Sequence, residues 1–125
     1  MNEYLNAGTV FVPKELSVSD YMDYWIEMYC RPNLKPSTIA SYKKYIRLHI
    51  SPKIGHHLLT SISAEQLQSL INDLVSEGFS KNTIISIKGI LSSSLNYAVQ
   101  PLHYIQTSPM VYVKIPKGSR SNFKA

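Results

Sequence analysis

The chain has 125 residues and a formal net charge of +5, with 44% hydrophobic and 17% charged residues, which is the composition of one globular domain with its own core. It contains no run of about 18 apolar residues and no basic stretch followed by an apolar run near its start, so we expect neither a transmembrane helix nor a secretory signal. Its single cysteine, Cys30, excludes an internal disulfide and is typical of a reducing cytosol.

The first predicted helix follows a lead-in of residues 1–14, within which residues 9–12 favour a short strand. Ser17 or Ser19 is suited to the N-cap position. Pro32 predicts the end of the helix, because the residue before a proline avoids the helical conformation. Apolar residues repeat at helical spacing on one face of this helix: Tyr21, Trp25, Met28 and Tyr29.

The second predicted helix begins after Lys35, with Pro36 in its first turn and Ser37 or Thr38 near the cap position. Pro52 predicts its end. Its inward stripe consists of Ile39, Tyr42, Ile46 and Ile50. Four polar residues lie off that stripe and are therefore predicted to face outward: Ser41, Lys44, Tyr45 and Arg47.

The third and fourth helices have clear start and stop signals. Ser63 and Gln66 form a capping box, and Gly78 suits the position after the third helix. The fourth helix is predicted to start at Ser80 and to stop at Pro101. Their core stripes are Leu67, Leu70, Ile71 and Leu74, then Ile84, Ile87, Leu91, Leu95 and Ala98. Residues 110–113 are predicted to pair as a short strand or to run extended. Four helices with short connections indicate a small all-α bundle with extended termini.

Basic and acidic residues occur in alternating blocks. Six basic residues and no acid occur between residues 28 and 64: Arg31, Lys35, Lys43, Lys44, Arg47 and Lys53. Six more basic residues and no acid occur between residues 78 and 125: Lys81, Lys88, Lys114, Lys117, Arg120 and Lys124. If both blocks fold onto one side, that side attracts a polyanion. An ordinary basic surface is the alternative that charge alone leaves open.

Each acid-free block also contains a helix start with several anion-binding groups. The second helix opens with Lys35, Pro36, Ser37 and Thr38, and the fourth with Ser80, Lys81, Asn82 and Thr83. The unpaired backbone N–H groups and the helix dipole at such an end favour a phosphate, and lysine and hydroxyl groups can add bonds to it. Serine and threonine cap helices equally well when nothing binds. Their occurrence on both acid-free helices favours contact with DNA.

Catalytic and metal-binding patterns do not appear in the sequence. The four histidines, His49, His56, His57 and His103, lack the spacing of a zinc site. Cys30 has no base close in sequence and is interpreted as a small buried residue at a helix end. No glycine-rich phosphate loop or nucleophile motif occurs. We therefore expect no cofactor, no metal and no catalysis by these residues.

The order and spacing of these features resemble the N-terminal core-binding (SAM-like) domain of phage and conjugative-transposon integrases, the tyrosine recombinases. The resemblance covers roughly residues 16–117. In and around the first two helices it rests on Val18, Tyr21 and Trp25, and on the run from Lys35 to Ile39 followed by Tyr42, Ile46, Ile50, Pro52, Ile54 and Gly55. In and before the third helix it rests on Leu59, Ile62, Ser63 and Leu67. In the fourth helix and after it, it rests on the run from Ser80 to Ile84, on Leu91 and Ala98, on Ser108 and Pro109, and on the run from Ile115 to Lys117.

The resemblance implies a four-helix orthogonal bundle that forms half of a C-shaped clamp around a recombination site. It implies that the second and fourth helices face the DNA, and that a linker leads to a separate catalytic domain, which this chain lacks. On this basis residues 1–14 are a lead-in, residues 15–117 the core-binding domain and residues 118–125 a linker. Two departures from the family are Ser108 before Pro109, where Asn is common, and the absence of a glycine turn at residues 100–103.

The resemblance therefore predicts a DNA-binding domain that does not itself cut DNA. Its expected partners are the duplex of the recombination site, its own catalytic domain in the full-length protein and other integrase protomers, with no membrane, in the bacterial cytoplasm. The predicted DNA contacts are Lys35, Ser37, Thr38, Ser41, Lys44, Tyr45, Arg47, Lys81, Asn82, Thr83, Lys88, Lys114 and Lys117. Two alternatives stay open: a helical protein-interaction module that mediates oligomerisation, and an enzyme with a composite site.

Overall fold

A computed structural model describes residues 15–116 of the chain. The lead-in of residues 1–14, the linker of residues 118–125 and the predicted contact Lys117 lie outside this range. Within it the structure has four helices, two short 3₁₀ turns and no strand, so the prediction of an all-α four-helix bundle is confirmed. None of the helices in this range is long and apolar enough to cross a membrane.

Helices α1 and α2 both continue through the proline that the sequence predicts as a stop. Helix α1 comprises Val18–Trp25, a π-helical turn at Ile26–Cys30 and a last turn at Arg31–Asn33. Helix α2 comprises Pro36–Tyr45, a π-helical turn at Ile46–Ile50 and a last turn at Ser51–Ile54.

The predicted helix ends at Pro32 and Pro52 are therefore wrong, and the π-helical turns explain why. The residue before each proline bonds five residues back: the Arg31 N–H donates to the Ile26 carbonyl, and the Ser51 N–H donates to the Ile46 carbonyl. A proline has no N–H, and its ring crowds the carbonyl four residues earlier in an α-helix. The wider π-helical turn gives that ring room, so the chain stays helical.

The π-helical turn also changes which residues of α1 face the core. Trp25 is buried as predicted, but Met28 and Tyr29 are 53% and 37% exposed. Ile26 and Cys30 are buried instead. The π-helical turn holds one extra residue. Residues counted at the spacing of a regular α-helix therefore no longer face the core after Trp25.

Helices α3 (Ala64–Ser76) and α4 (Lys81–Val99) begin and end as predicted. The Ser63 hydroxyl accepts from the Gln66 N–H at 3.2 Å, and the Gln66 side chain accepts from the Ser63 N–H at 2.9 Å, which completes the capping box. Gly78 has a φ of 88°, a conformation that glycine adopts without strain.

The core lies between all four helices and contains the predicted stripes of α3 and α4. Trp25 of α1 is fully buried and stacks on Tyr42 of α2, with ring centroids 6.0 Å apart. The buried Tyr21 hydroxyl donates to the Ser94 carbonyl at 2.7 Å, which ties α1 to α4. Each fully buried aliphatic side chain contributes roughly 1.5–3 kcal/mol relative to an exposed one.

The segment after α4 ends in a 3₁₀ turn at Pro109–Tyr112, so the expectation of a strand or extended run at residues 110–113 is wrong. Met110 and Val113 are buried three residues apart, which matches the 3₁₀ period. Ser108 caps the turn by accepting from the Met110 N–H at 3.2 Å. Lys114, the residue after Val113, is held against α3. The Gln68 amide accepts from the Lys114 N–H at 2.9 Å and donates to the Lys114 carbonyl at 2.7 Å.

Candidate nucleic-acid interface

Helix α2 buries an unusually narrow part of its surface. Its buried residues are Ile39, Ile46, Ile50 and Ile54. Within its first segment, Pro36–Tyr45, only Ile39 is buried. A helix at the surface of a bundle commonly buries three to four residues in every two turns. Most of α2 is therefore available to a partner, and the residues that it presents are largely polar or cationic.

The two helix starts that the sequence singles out differ in their capping. At α4 the Ser80 hydroxyl accepts from the Thr83 N–H at 3.2 Å and donates to the Thr83 hydroxyl at 3.1 Å, as the sequence predicts. At α2 the cap residue is Lys35, whose side chain makes no capping bond. Ser37 and Thr38 lie inside the first turn because Pro36 takes its first position, so their predicted role as caps is wrong.

A line of contacts connects the later part of α2 to the start of α4. The Lys44 ammonium lies over the Tyr45 ring, 5.6 Å from its centroid. The Tyr45 ring lies 6.2 Å from the His49 ring, and His49 meets the edge of Phe79 at 4.7 Å. Phe79 directly precedes the cap residue Ser80. We call these six residues the α2–α4 surface: Lys44, Tyr45, His49, Phe79, Ser80 and Lys81.

A second line of ring contacts runs from the middle of α2 through α1 to the end of α4. Tyr42 stacks on Trp25 of α1, Trp25 stacks on Tyr29, and the Tyr29 ring lies 5.2 Å from the Tyr97 ring of α4. The start of α2 and His49 are separated by roughly 20 Å along the helix. The predicted anion sites at Lys35 and at Lys81 thus lie at opposite ends of α2.

A different environment surrounds the other side of α2, where a groove of about 600 Å³ separates it from α1. We call this the α1–α2 groove; it is lined by Asp23, Ile26, Glu27, Lys43, Ile46, Arg47 and Ser51. Two acids come from α1 and two cations from α2, above a floor that includes buried isoleucines. Arg47, a predicted DNA contact, thus lies beside Asp23 and Glu27.

The acids of the described residues also pair with other cations. Arg31 bonds Glu27 at 2.8 Å, and this hydrogen bond, with the charges of Arg31 and Lys43, lowers the pKa of Glu27. Lys53 contacts Glu77 at 3.1 Å and Asp73 at 3.6 Å. Seven cations make no ion pair with an acid of residues 15–116: Lys35, Lys43, Lys44, Arg47, Lys81, Lys88 and Lys114. Of these, Lys43 and Arg47 share the α1–α2 groove with Asp23 and Glu27.

The remaining predicted contacts have distinct positions. Ser41 is exposed one turn before Lys44 and Tyr45, on the same side of α2. Lys88 is partly exposed two turns after Lys81, on the same side of α4. Asn82 is exposed in the first turn of α4. Lys114 is exposed in the segment that Gln68 holds against α3.

Sequence reasoning missed His49 and Phe79 as members of this surface. Phe79 stands just before a predicted N-cap, where an apolar residue often packs against its own helix, and Tyr45 and His49 are one turn apart. These signals could have identified both residues. The His49 pKa is lowered from its ordinary value by partial burial; Glu77 opposes this shift, while Lys53 and Lys44 add to it.

The described residues offer little for metal binding or nucleophilic catalysis. No three His, Cys, Asp or Glu side chains of residues 15–116 lie close enough to hold a metal ion. The Cys30 thiol is buried, and this burial raises its pKa to about 11. A thiol is nucleophilic as a thiolate, so Cys30 is inert near neutral pH.

Comparisons with known proteins agree with this fold. Residues 17–75 match the family model described as the phage integrase N-terminal SAM-like domain. The structure is similar to the solution structure of an integrase-like domain from Bacillus cereus, with a TM-score of 0.78, 27% identity, and coverage of 86% of this chain and 90% of that one. The search of curated proteins found no match.

Two further solution structures have the same fold. One is a fragment of a protein from Clostridium leptum, with a TM-score of 0.70, 29% identity, and coverage of 83% of this chain and 92% of that one. The other is the phage integrase SAM-like domain from Moorella thermoacetica, with a TM-score of 0.69, 24% identity, and coverage of 86% and 92%. At that identity the last similarity supports the fold alone.

Proposed function

We propose that this chain, which matches the phage integrase N-terminal SAM-like domain over residues 17–75, is the DNA-binding core domain of a tyrosine site-specific recombinase. In this proposal the domain forms one half of a clamp around the recombination-site duplex in the bacterial cytoplasm. Strand cleavage belongs to a separate catalytic domain of the full-length protein, and other protomers bind the same DNA.

The observation that carries this proposal is the line of contacts from Lys44 to the start of α4. It joins the two acid-free helices at Phe79, two residues before Lys81, which supports placing Lys44 and Lys81 on one surface. Glu77 lies near its margin but is engaged by Lys53 at 3.1 Å. Backbone N–H groups at the start of α4 add donors for a phosphate. Polyanion binding is what such a surface favours.

The second helix would provide the length of the interface. Lys35 at its start and the α2–α4 surface near its end are roughly 20 Å apart, so they can contact separate phosphates of one duplex. In this proposal Ser41, between them, and Tyr45, within the α2–α4 surface, contact sugars or base edges. Contacts of this kind orient a protein on DNA and give non-specific dissociation constants of about 10⁻⁴–10⁻⁶ M at physiological salt.

A salt titration with a short labelled duplex tests the proposal. Fluorescence anisotropy should give a log K that falls linearly with log [salt], by about 0.9 for each phosphate contact. The double variant Lys44→Gln/Lys81→Gln should lose affinity and flatten this slope by about 1.8 for two contacts. The matched variant Arg31→Gln/Lys43→Gln removes the same charge from two cations that lie near Glu27, away from this surface. Equal effects of the two variants, or a slope of zero in the parent chain, would contradict the proposal.

A protein-interaction role is the second candidate, and the turn at Pro109–Tyr112 favours it. Val111 and Tyr112 are 65% and 77% exposed, while their neighbours Met110 and Val113 anchor the turn in the core. An ordered pair of exposed apolar residues is suited to a protein contact. If light scattering shows an oligomer that Val111→Ser/Tyr112→Ser converts to a monomer, and DNA binding is absent, this candidate replaces the first.

A further inference from the structure

We infer that His49 is a further phosphate contact of the α2–α4 surface and that it takes up a proton from solvent when a duplex binds. The inference rests on the proposed function, because the phosphate is supplied by the bound DNA. It adds to that function a residue which sequence reasoning did not assign, and a dependence of binding on pH.

The position of His49 is the first ground for this inference. Its ring lies between Tyr45, one turn earlier on α2, and Phe79, the residue before the α4 cap. It therefore occupies the centre of the line that joins Lys44 to the start of α4. The side chain is partly exposed, so one side of the imidazole can reach a ligand at this surface.

The charges around His49 are the second ground. Lys44 and Lys53 of α2 face it, and Glu77 faces it from the end of α3, already bonded to Lys53. Tyr45 and Phe79 contribute rings without charge. In the free chain, partial burial and the two lysines keep the imidazole neutral near pH 7, since they lower its pKa. A phosphate bound at this surface should instead raise the His49 pKa, because it neutralises the lysines and accepts a hydrogen bond from the imidazolium.

The step is balanced in protons. One solvent proton adds to an imidazole nitrogen, and the resulting N–H donates to a phosphate oxygen, with no bond broken. Because binding then favours the protonated form, lower pH must favour binding by the same linkage. A rise of one unit in the His49 pKa on binding corresponds to about a tenfold gain in affinity at low pH.

The free domain should respond to pH in the opposite direction. The folded chain holds His49 at a lowered pKa, whereas the unfolded chain has the ordinary value of about 6.5. In the window between these values the unfolded chain binds more protons, so stability is full above about pH 6.5 and falls as pH drops through the window. Affinity for DNA that rises while thermal stability falls over the same range is the signature of this arrangement.

The experiment compares the parent chain with His49→Gln and with the matched control His56→Gln, which changes an exposed histidine outside this surface. Duplex affinity is measured by anisotropy at constant salt between about pH 7.5 and 5.5. The parent and His56→Gln should gain affinity as pH falls, and His49→Gln should lose most of that gain, up to about tenfold for each unit of pKa shift. If His49→Gln keeps the whole gain while all three chains bind DNA, the inference is wrong and the proposed function stands. If no chain binds DNA, the proposed function fails.

A direct titration covers the case in which His49→Gln does not fold. The His49 ring resonances of the parent chain are followed by NMR against pH, with and without the duplex. We expect the pKa of His49 to rise when DNA is present. An unchanged or lower value in the bound chain overturns the inference, whatever the affinities are.

Discussion

Lys43 and Lys44 are adjacent cations on α2 that face two different regions of the molecule. Lys43 lines the α1–α2 groove, opposite Asp23 and Glu27. Lys44 lies over Tyr45 on the α2–α4 surface. One step along a helix turns the side chain by about 100°, which is enough to move it from a mixed environment to a cationic one. The proposed DNA contact therefore depends on the direction of each basic side chain as well as on the number of cations.

The packing of Trp25 fixes which way the two faces of α2 point, so its loss should have the largest effect. Trp25→Ala removes a fully buried ring that stacks on Tyr42, and we expect it to lower the free energy of unfolding by about 3–5 kcal/mol. Chemical denaturation measures this change. Tyr29→Ala, at a stacked but 37% exposed ring, is the control and should cost clearly less. Equal losses would mean that α1 does not orient α2 through Trp25.

The hydrogen bond from the Tyr21 hydroxyl to the Ser94 carbonyl ties α1 to α4, so its loss should also lower stability. Tyr21→Phe leaves the buried Ser94 carbonyl without its side-chain donor and should cost about 1–3 kcal/mol. Burial raises the pKa of Tyr21 above its ordinary value near 10, so its contribution is full below about pH 10 and is lost as pH rises beyond it. Thermal unfolding from neutral to alkaline pH should show a shallower decline in the variant. Tyr112→Phe, at an exposed hydroxyl, should match the parent chain.

Serine at the start of α3 and serine at the start of α2 should differ in their contribution to stability, by a smaller amount. Ser63→Ala removes a complete capping box and should cost about 1 kcal/mol. Ser37→Ala should stay within about 0.5 kcal/mol, because Ser37 lies inside the first turn of α2 and caps nothing. Denaturant midpoints at matched slope compare the two variants. If Ser37→Ala lowers the free energy of unfolding as much as Ser63→Ala does, then Ser37 caps α2 after all.

The smallest expected effect is at Lys53, which pairs with two acids at the end of α3. Lys53→Gln loses contacts with Glu77 and Asp73, both at the surface, and should lower stability by about 0–1 kcal/mol. The loss should shrink further at high salt, since exposed pairs are screened. Thermal unfolding at two salt concentrations checks this. A large loss that is insensitive to salt would show that the pair matters to the fold more than its exposure indicates.

Much of the fold could be predicted from local signals. Ser63, Gln66, Gly78 and Ser80 each specify a helix boundary through bonds or backbone conformation within a few residues, so the sequence is sufficient there. The π-helical turns could not be predicted in the same way. They depend on a proline being accommodated within a packed helix, and only tertiary packing shows that Ile26 and Cys30, rather than Met28 and Tyr29, face the core.

The candidate site was predictable in composition and only partly in arrangement. The acid-free blocks predict α2 and α4 as the helices that contact DNA, and this stays a prediction. Periodicity does not show which neighbour each side of α2 meets, so Arg47 could not be distinguished from Lys44 by sequence. The role of His49 depends on Phe79, a contact between residues thirty positions apart, and a single sequence does not contain it.

The most direct test of the account is an NMR titration of the isotope-labelled chain with a short duplex at low salt. We predict shifts at the amides and side chains of the α2–α4 surface, above all at Lys44, His49 and Lys81, with Asp23 and Glu27 of the α1–α2 groove unchanged. Shifts that concentrate in that groove, or that spread evenly over both sides of α2, would contradict the claim that DNA binds where α2 meets the start of α4.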